Sequence, residues 1–95
     1  MSTDVRFVAV AGLESAPLNE GAVLFNPQSG TFLRLNGSAA FLWDELASPS
    51  TEEELAAKLC DRFAGLSLST AREDAREMLR RMQDLDVVSS THTPA

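Results

Sequence analysis

The chain has little of the chemistry from which most active sites are built. It holds one cysteine, one histidine, no tyrosine and eight basic residues against fourteen acidic ones. With Cys60 alone, no internal disulfide can form, and its place on the apolar side of a helical segment reads as a small buried hydrophobe rather than a nucleophile. His92 has no cysteine or carboxylate beside it in sequence, so neither a metal site nor a catalytic dyad is expected. A glycine-rich phosphate loop is missing as well. The formal charge of −6 and a pI near 4.6 work against nucleic acid and anionic membrane, since both are polyanions. No apolar run approaches the roughly 20 residues of a membrane-spanning helix. The first residues lack the basic, apolar and small-residue succession of a secretory signal. These absences predict a soluble cytoplasmic protein that is not an enzyme and uses no cofactor or metal.

What is present fits one small domain of 95 residues, for which a binding module is a better prior than a deep catalytic cavity. Residues 5–10 are β-favouring and residues 11–20 read as a connecting loop. The most informative stretch follows. Residues 21–26 and 31–35 are apolar strands, residues 26–30 carry turn chemistry, and Asn36, Gly37 and Ser38 end the sheet and start a helix. The last strand of this hairpin carries one charge, Arg34, and no proline. An edge of that kind is a dock for an extended peptide, or for a second copy of the chain, because its unpaired N–H and C=O groups can be completed by another strand.

Three helices are predicted next. Ala39, Ala40, Leu42, Trp43, Leu46 and Ala47 form an apolar stripe that stops at Ser48 and Pro49. The second helix opens at Ser50 or Thr51, each with a glutamate three residues on, and buries Leu55, Ala56, Leu59, Cys60 and Phe63. The third starts near Thr70 with Glu73 as its box partner, and presents Ala75, Met78, Leu79, Met82 and Leu85 at helical spacing. Residues 89–95 have no apolar periodicity and read as a disordered tail after a single domain spanning residues 1–88. The order makes an α+β domain, winged-helix-like, with a small three-stranded antiparallel sheet followed by three helices.

Four arginines, Arg72, Arg76, Arg80 and Arg81, sit on the third helix. Their plain reading is a solvated face paired within the helix, Glu73 to Arg76 and Glu77 to Arg80 or Arg81, at about 0.2 to 0.5 kcal/mol each. Arg76 and Arg34 are the first candidates for holding an acidic partner. A winged-helix DNA-binding regulator is the alternative, although Glu73, Asp74, Glu77 and Asp84 interrupt the basic run.

The hairpin residues 21–26 and 30–36, followed by Ser38, Ala39, Leu42 and Trp43, resemble the PqqD-like family of peptide-recognition domains, also called RiPP recognition elements. The likeness continues through residues 51–55, Leu59, Phe63, Asp74, Leu79, Val87 and Val88, and its most specific part is residues 35–39 between the hairpin and the tryptophan-bearing helix. The resemblance implies binding of the leader segment of a ribosomally made precursor peptide, such as that of a lasso peptide, and its delivery to a modifying enzyme or leader protease. The leader would add as a strand beside Thr31, Phe32, Leu33, Arg34 and Leu35. Its side chains would enter a groove against Ala75, Arg76, Met78, Leu79 and Met82. A monomer or an edge-paired homodimer is expected, with no nucleic acid or membrane partner. Two positions depart from the family pattern: Asp86 stands where a helix-ending glycine is usual, and Met78 and Met82 replace bulkier or stiffer apolar residues.

Overall fold

A computed structural model of the chain describes residues 3–94, with side chains from Val5 to Thr91. The elements run β1 (Thr3–Ala9), β2 (Glu14–Leu18), β3 (Gly21–Asn26), β4 (Thr31–Leu35), α1 (Gly37–Glu45), β5 (Ser50–Thr51), α2 (Glu52–Arg62), α3 (Leu68–Asp84) and β6 (Val88–Pro94). The class is α+β, as the pattern predicts, with three helices. The strands form two antiparallel sheets of three rather than one, ordered β2-β3-β4 and β5-β1-β6.

Most element borders have a local chemical cause. In the β3–β4 hairpin, the Gly30 N–H donates to the Asn26 carbonyl at 2.7 Å and the Gln28 N–H donates to Asn26 Oδ1 at 3.0 Å. Gly30 takes a φ of 73°, which costs glycine nothing. Asn36 then caps α1, its Oδ1 accepting the Ala39 N–H at 2.9 Å. A capping box opens α2: the Glu54 N–H reaches Thr51 Oγ1 at 3.1 Å, and the Thr51 N–H reaches Glu54 Oε1 at 2.8 Å. That second bond, helped by the charge of Arg6, holds the Glu54 carboxyl below its ordinary value.

α3 begins earlier than Thr70. Ser67 is its cap, accepting the Thr70 N–H at 3.2 Å, so Thr70 lies inside the first turn. At its other end Asp86 takes a left-handed φ of 58°. The Val87 N–H donates to the Met82 carbonyl and the Asp86 N–H to that of Gln83, both at 3.0 Å. These are the two bonds of a Schellman turn, made here around an aspartate in place of glycine.

Two segments differ from the sequence expectation. Residues 14–18, expected within a loop, pair with β3 as an exposed edge strand, reached through Asn19 at a φ of 56°. Polarity and Pro17 hide that strand from any apolar count. Residues 89–94, expected as a disordered tail, pair along the whole length of β1. Their serines and threonines lack apolar periodicity because an outer strand needs none; the pairing is carried by backbone bonds and started by buried Val87 and Val88. The His92 side chain lies outside the described residues.

The core lies where the inner face of β3 and β4 meets the three helices. Leu24 and Leu35 come from the sheet; Ala39, Leu42 and Leu46 from α1 and its cap; Leu55, Ala56 and Leu59 from α2; and Ala71, Ala75, Leu79 and Met82 from α3. Each fully buried leucine contributes about 1.5 to 3 kcal/mol. Ala56, Ala71 and Ala75 are fully buried, and their small side chains let α2 and α3 lie close together. Trp43 packs at the margin of this core, half-buried, rather than within it.

Candidate functional site

The two edges of the β2-β3-β4 sheet are built differently. β2 is exposed throughout and carries Pro17, which has no N–H to offer an added strand. β4 pairs only with β3, from Asn26 opposite Thr31 to Ala22 opposite Leu35, and its outer edge has no strand beside it among the described residues. Its position depends on a close approach. A Cβ on Gly21 would overlap the Leu35 carbonyl oxygen, so only glycine lets β3 start this near the end of β4.

The pleat of β4 sends its side chains to two faces. Leu33 and Leu35 turn toward the helices, half-buried and buried respectively. Phe32 turns to the opposite face, 68% exposed, with its ring 4.6 Å from that of Phe25. Beside the inward residues runs a groove of about 420 Å³. Leu33, Arg34 and Leu35 form one wall, and Asn36, Ser38 and Ala39 close one side at the start of α1. Asp74, Glu77, Met78, Arg81 and Met82 of α3 form the facing wall.

Helical geometry explains which α3 residues reach it. At about 100° per residue, the buried stripe of Ala71, Ala75 and Leu79 leaves two flanks. Asp74, Met78 and Arg81 share one flank, and Arg72 and Arg76 share the other. The second flank faces α2. Arg72 pairs with Glu53 (Nε to Oε1, 2.7 Å) and Arg76 with Glu52 (Nε to Oε1, 3.1 Å). Arg6 of β1 reaches Glu54 at 3.4 Å, so each of the three consecutive glutamates that open α2 holds an arginine from another element. Arg76 thus pairs across to Glu52 of α2 rather than with Glu73, and the pair expected between Glu77 and Arg80 or Arg81 is not formed among the described residues.

Of the ten residues expected from the sequence, the structure brings Leu33, Arg34, Leu35, Met78 and Met82 together along the groove. Ala75 and Leu79 are instead core residues, 0% and 2% exposed, lying beneath the groove. Arg76 is turned to α2. The Thr31 and Phe32 side chains are outside the lining, although their backbone forms the same open edge. Asp74, Glu77 and Arg81 line the groove without having been singled out. Their signal was available as the i, i+3, i+7 spacing along one flank of α3. The side chains of Arg34, Asp74, Glu77 and Arg81 make no ion pair or hydrogen bond among the described residues. The arrangement can therefore complete a strand along β4, bury an apolar side chain against Leu33, Met78 and Met82, and offer charges of both signs beside it.

A second, more open hollow between α1 and α2 lies among Phe41, Glu45, Lys58, Asp61 and Arg62. Lys58 and Glu45 bridge it at 2.7 Å, and the carboxylate raises the lysine pKa. No helix among the described residues is long and apolar enough to cross a membrane, and no three His, Cys, Asp or Glu side chains among them are grouped so as to hold a metal ion.

The family model described as coenzyme PQQ synthesis protein D (PqqD) matches residues 21–88. That span starts at Gly21 and ends at Val88, enclosing both walls of the groove. No curated protein matches the sequence. Two solved structures share the fold. TbiB1 in complex with the TbiA(beta) leader peptide superposes with a TM-score of 0.75 at 22% identity, over 86% of this chain and 94% of that one. A lasso peptide synthetase B1 complexed with the leader peptide gives 0.74 at 19% identity, over 87% and 96%.

Proposed function

The chain belongs to the PqqD family, and from that premise we propose that it captures the leader segment of a ribosomally made precursor peptide. The leader adds as a strand to β4, lays side chains into the groove against α3, and is presented to a modifying enzyme or leader protease. The observation that carries this reading is the coincidence of the unblunted β4 edge with the groove alongside it. The names of the two structural neighbours, both leader-peptide complexes and one a lasso peptide synthetase component, favour a lasso-type precursor.

The energetics say which part of the site matters. About five strand-addition hydrogen bonds at about 1 kcal/mol net each barely offset an ordering cost of about 2 to 5 kcal/mol. Micromolar binding needs about −8 kcal/mol, so the rest comes from apolar leader side chains buried against Leu33, Met78 and Met82. The domain's role here is to hold the precursor and raise its effective concentration at the enzyme, with the reacting groups supplied by that partner. The DNA-binding alternative has no support. Arg72 and Arg76 are engaged with α2, and the open flank of α3 carries Asp74 and Glu77, which repel phosphate.

Titration of backbone amides by NMR with a candidate leader peptide, beside a matched short DNA duplex, tests the reading. Shifts confined to β4, Asn36 and residues 74–82 are expected with the peptide alone. Silence with peptide, or shifts along α3 with DNA, would overturn it.

A further inference from the structure

Resting on the peptide-capture reading, we propose that the groove selects its leader by charge order as well as by apolar shape. The bound segment carries a basic residue and an acidic residue two positions apart, the basic one against Asp74 and Glu77 and the acidic one against Arg81.

Several charged groups beside the groove have no partner among the described residues. Of the charged side chains on α3, Arg72 and Arg76 are paired across to α2, whereas Asp74, Glu77 and Arg81 face the groove with no partner among the described residues. Arg34, on the outer face of β4 at the rim of the groove, adds a positive charge with no partner among the described residues. A strand laid over these groups removes water from them. A charge desolvated without a partner is strongly unfavourable, so a well-bound segment must bring the counter-charges itself. A wholly acidic segment meets Asp74 and Glu77, and a wholly basic one meets Arg34 and Arg81; both are rejected by like charge. This replaces the simpler expectation of an acidic partner, which counted arginines that the fold has turned elsewhere.

The order follows from the helix. Asp74 and Glu77 lie one turn apart toward the N-terminal half of α3, and Arg81 lies four residues beyond Glu77, about 6 Å along the axis. In an extended segment, side chains on one face recur every two residues, about 6.7 Å apart. For a segment lying along the axis of α3, one i, i+2 pair of opposite charges spans Glu77 and Arg81. Because the two ends of the α3 wall differ in sign, the pair also fixes which way the segment lies in the groove. Glu77 and Arg81 are both exposed, so exchanging their charges leaves the core untouched.

The test uses a phage-displayed random dodecapeptide library, selected in parallel on the full chain and on its Glu77→Lys, Arg81→Glu double variant, with unfolding midpoints compared first. The expected result is an apolar consensus flanked by a basic and an acidic position two apart, with the charge order reversed in peptides selected by the double variant. Peptides enriched on the parent should bind the double variant at least about tenfold more weakly. If the double variant does not fold, Arg81→Gln takes its place and should erase only the acidic preference. The same apolar consensus on both proteins, without charge order, would overturn charge selection and leave peptide capture standing. No enrichment on either protein would overturn the capture reading and this proposal with it.

Discussion

The two flanks of α3 are made of similar residues and have opposite fates. On the side facing α2, Arg72 and Arg76 are tied to Glu53 and Glu52. On the side facing β4, Asp74, Met78 and Arg81 line an open groove, and neither charge has a partner among the described residues. One flank is tied to a neighbouring helix and the other stays open beside the sheet edge. A count of arginines on this helix says little about binding, because the neighbouring element decides whether each charge is already used.

Removing what the flanks share should have the largest effect. Leu79 is 2% exposed at the centre of the buried stripe, and Leu79→Ala should cost about 3 kcal/mol in urea unfolding and loosen both sides at once. Met78→Glu should separate the flanks. Met78 is half-buried at the groove, so peptide affinity by fluorescence anisotropy should fall about 100-fold, about 2.7 kcal/mol, while the unfolding midpoint moves little. Met82→Glu is a poorer probe, since Met82 is 2% exposed and a glutamate there would also unsettle the core.

Asp86→Gly relieves the left-handed residue that ends both flanks. It should stabilise the fold by about 1 kcal/mol without changing peptide affinity. A larger effect on binding than on stability would mean that the helix end helps shape the groove. Arg72→Ala should cost less than about 1 kcal/mol, because the pair is solvent-exposed, and should change peptide affinity by less than about threefold. A loss of binding equal to that of Met78→Glu would erase the distinction between the flanks.

The smallest effect is on pH dependence. Glu54 has a lowered pKa in the folded state, so its contribution is present above the unfolded value and is lost as pH falls through the folded one. Glu54→Gln should flatten that part of the acid limb in urea titrations and leave the groove unchanged.

Much of this was legible in the residues because it depends on local chemistry. The β3–β4 hairpin, the Asn36 cap and the Thr51–Glu54 box each rest on groups within a few positions of one another. The start of α3 was misplaced by a competing local signal, since Thr70 with Glu73 imitates a cap that Ser67 already provides. β2 and β6 were missed for a different reason. Their stability comes from backbone pairing with β3 and β1, and exposed strands containing proline, serine and threonine leave no periodic trace. In the groove, Leu33, Leu35, Met78 and Met82 could be named from apolar pattern and family likeness. The spacing of Asp74, Glu77 and Arg81 puts them on one flank of α3, but not until a neighbour is placed does that flank differ from the one bearing Arg72 and Arg76.

A small acidic α+β domain with an unblunted hairpin edge, three capped helices and a buried stripe on the third can be read directly from the residues. Those features follow from side-chain periodicity, capping chemistry and the absence of proline from β4. Which flank of α3 turns to α2 and which to β4 is set by the packed arrangement of the elements. A helix has two equivalent sides about its buried stripe, and the choice between them is made by how the α2–α3 pair packs against the sheet, which no short-range pattern along the chain encodes.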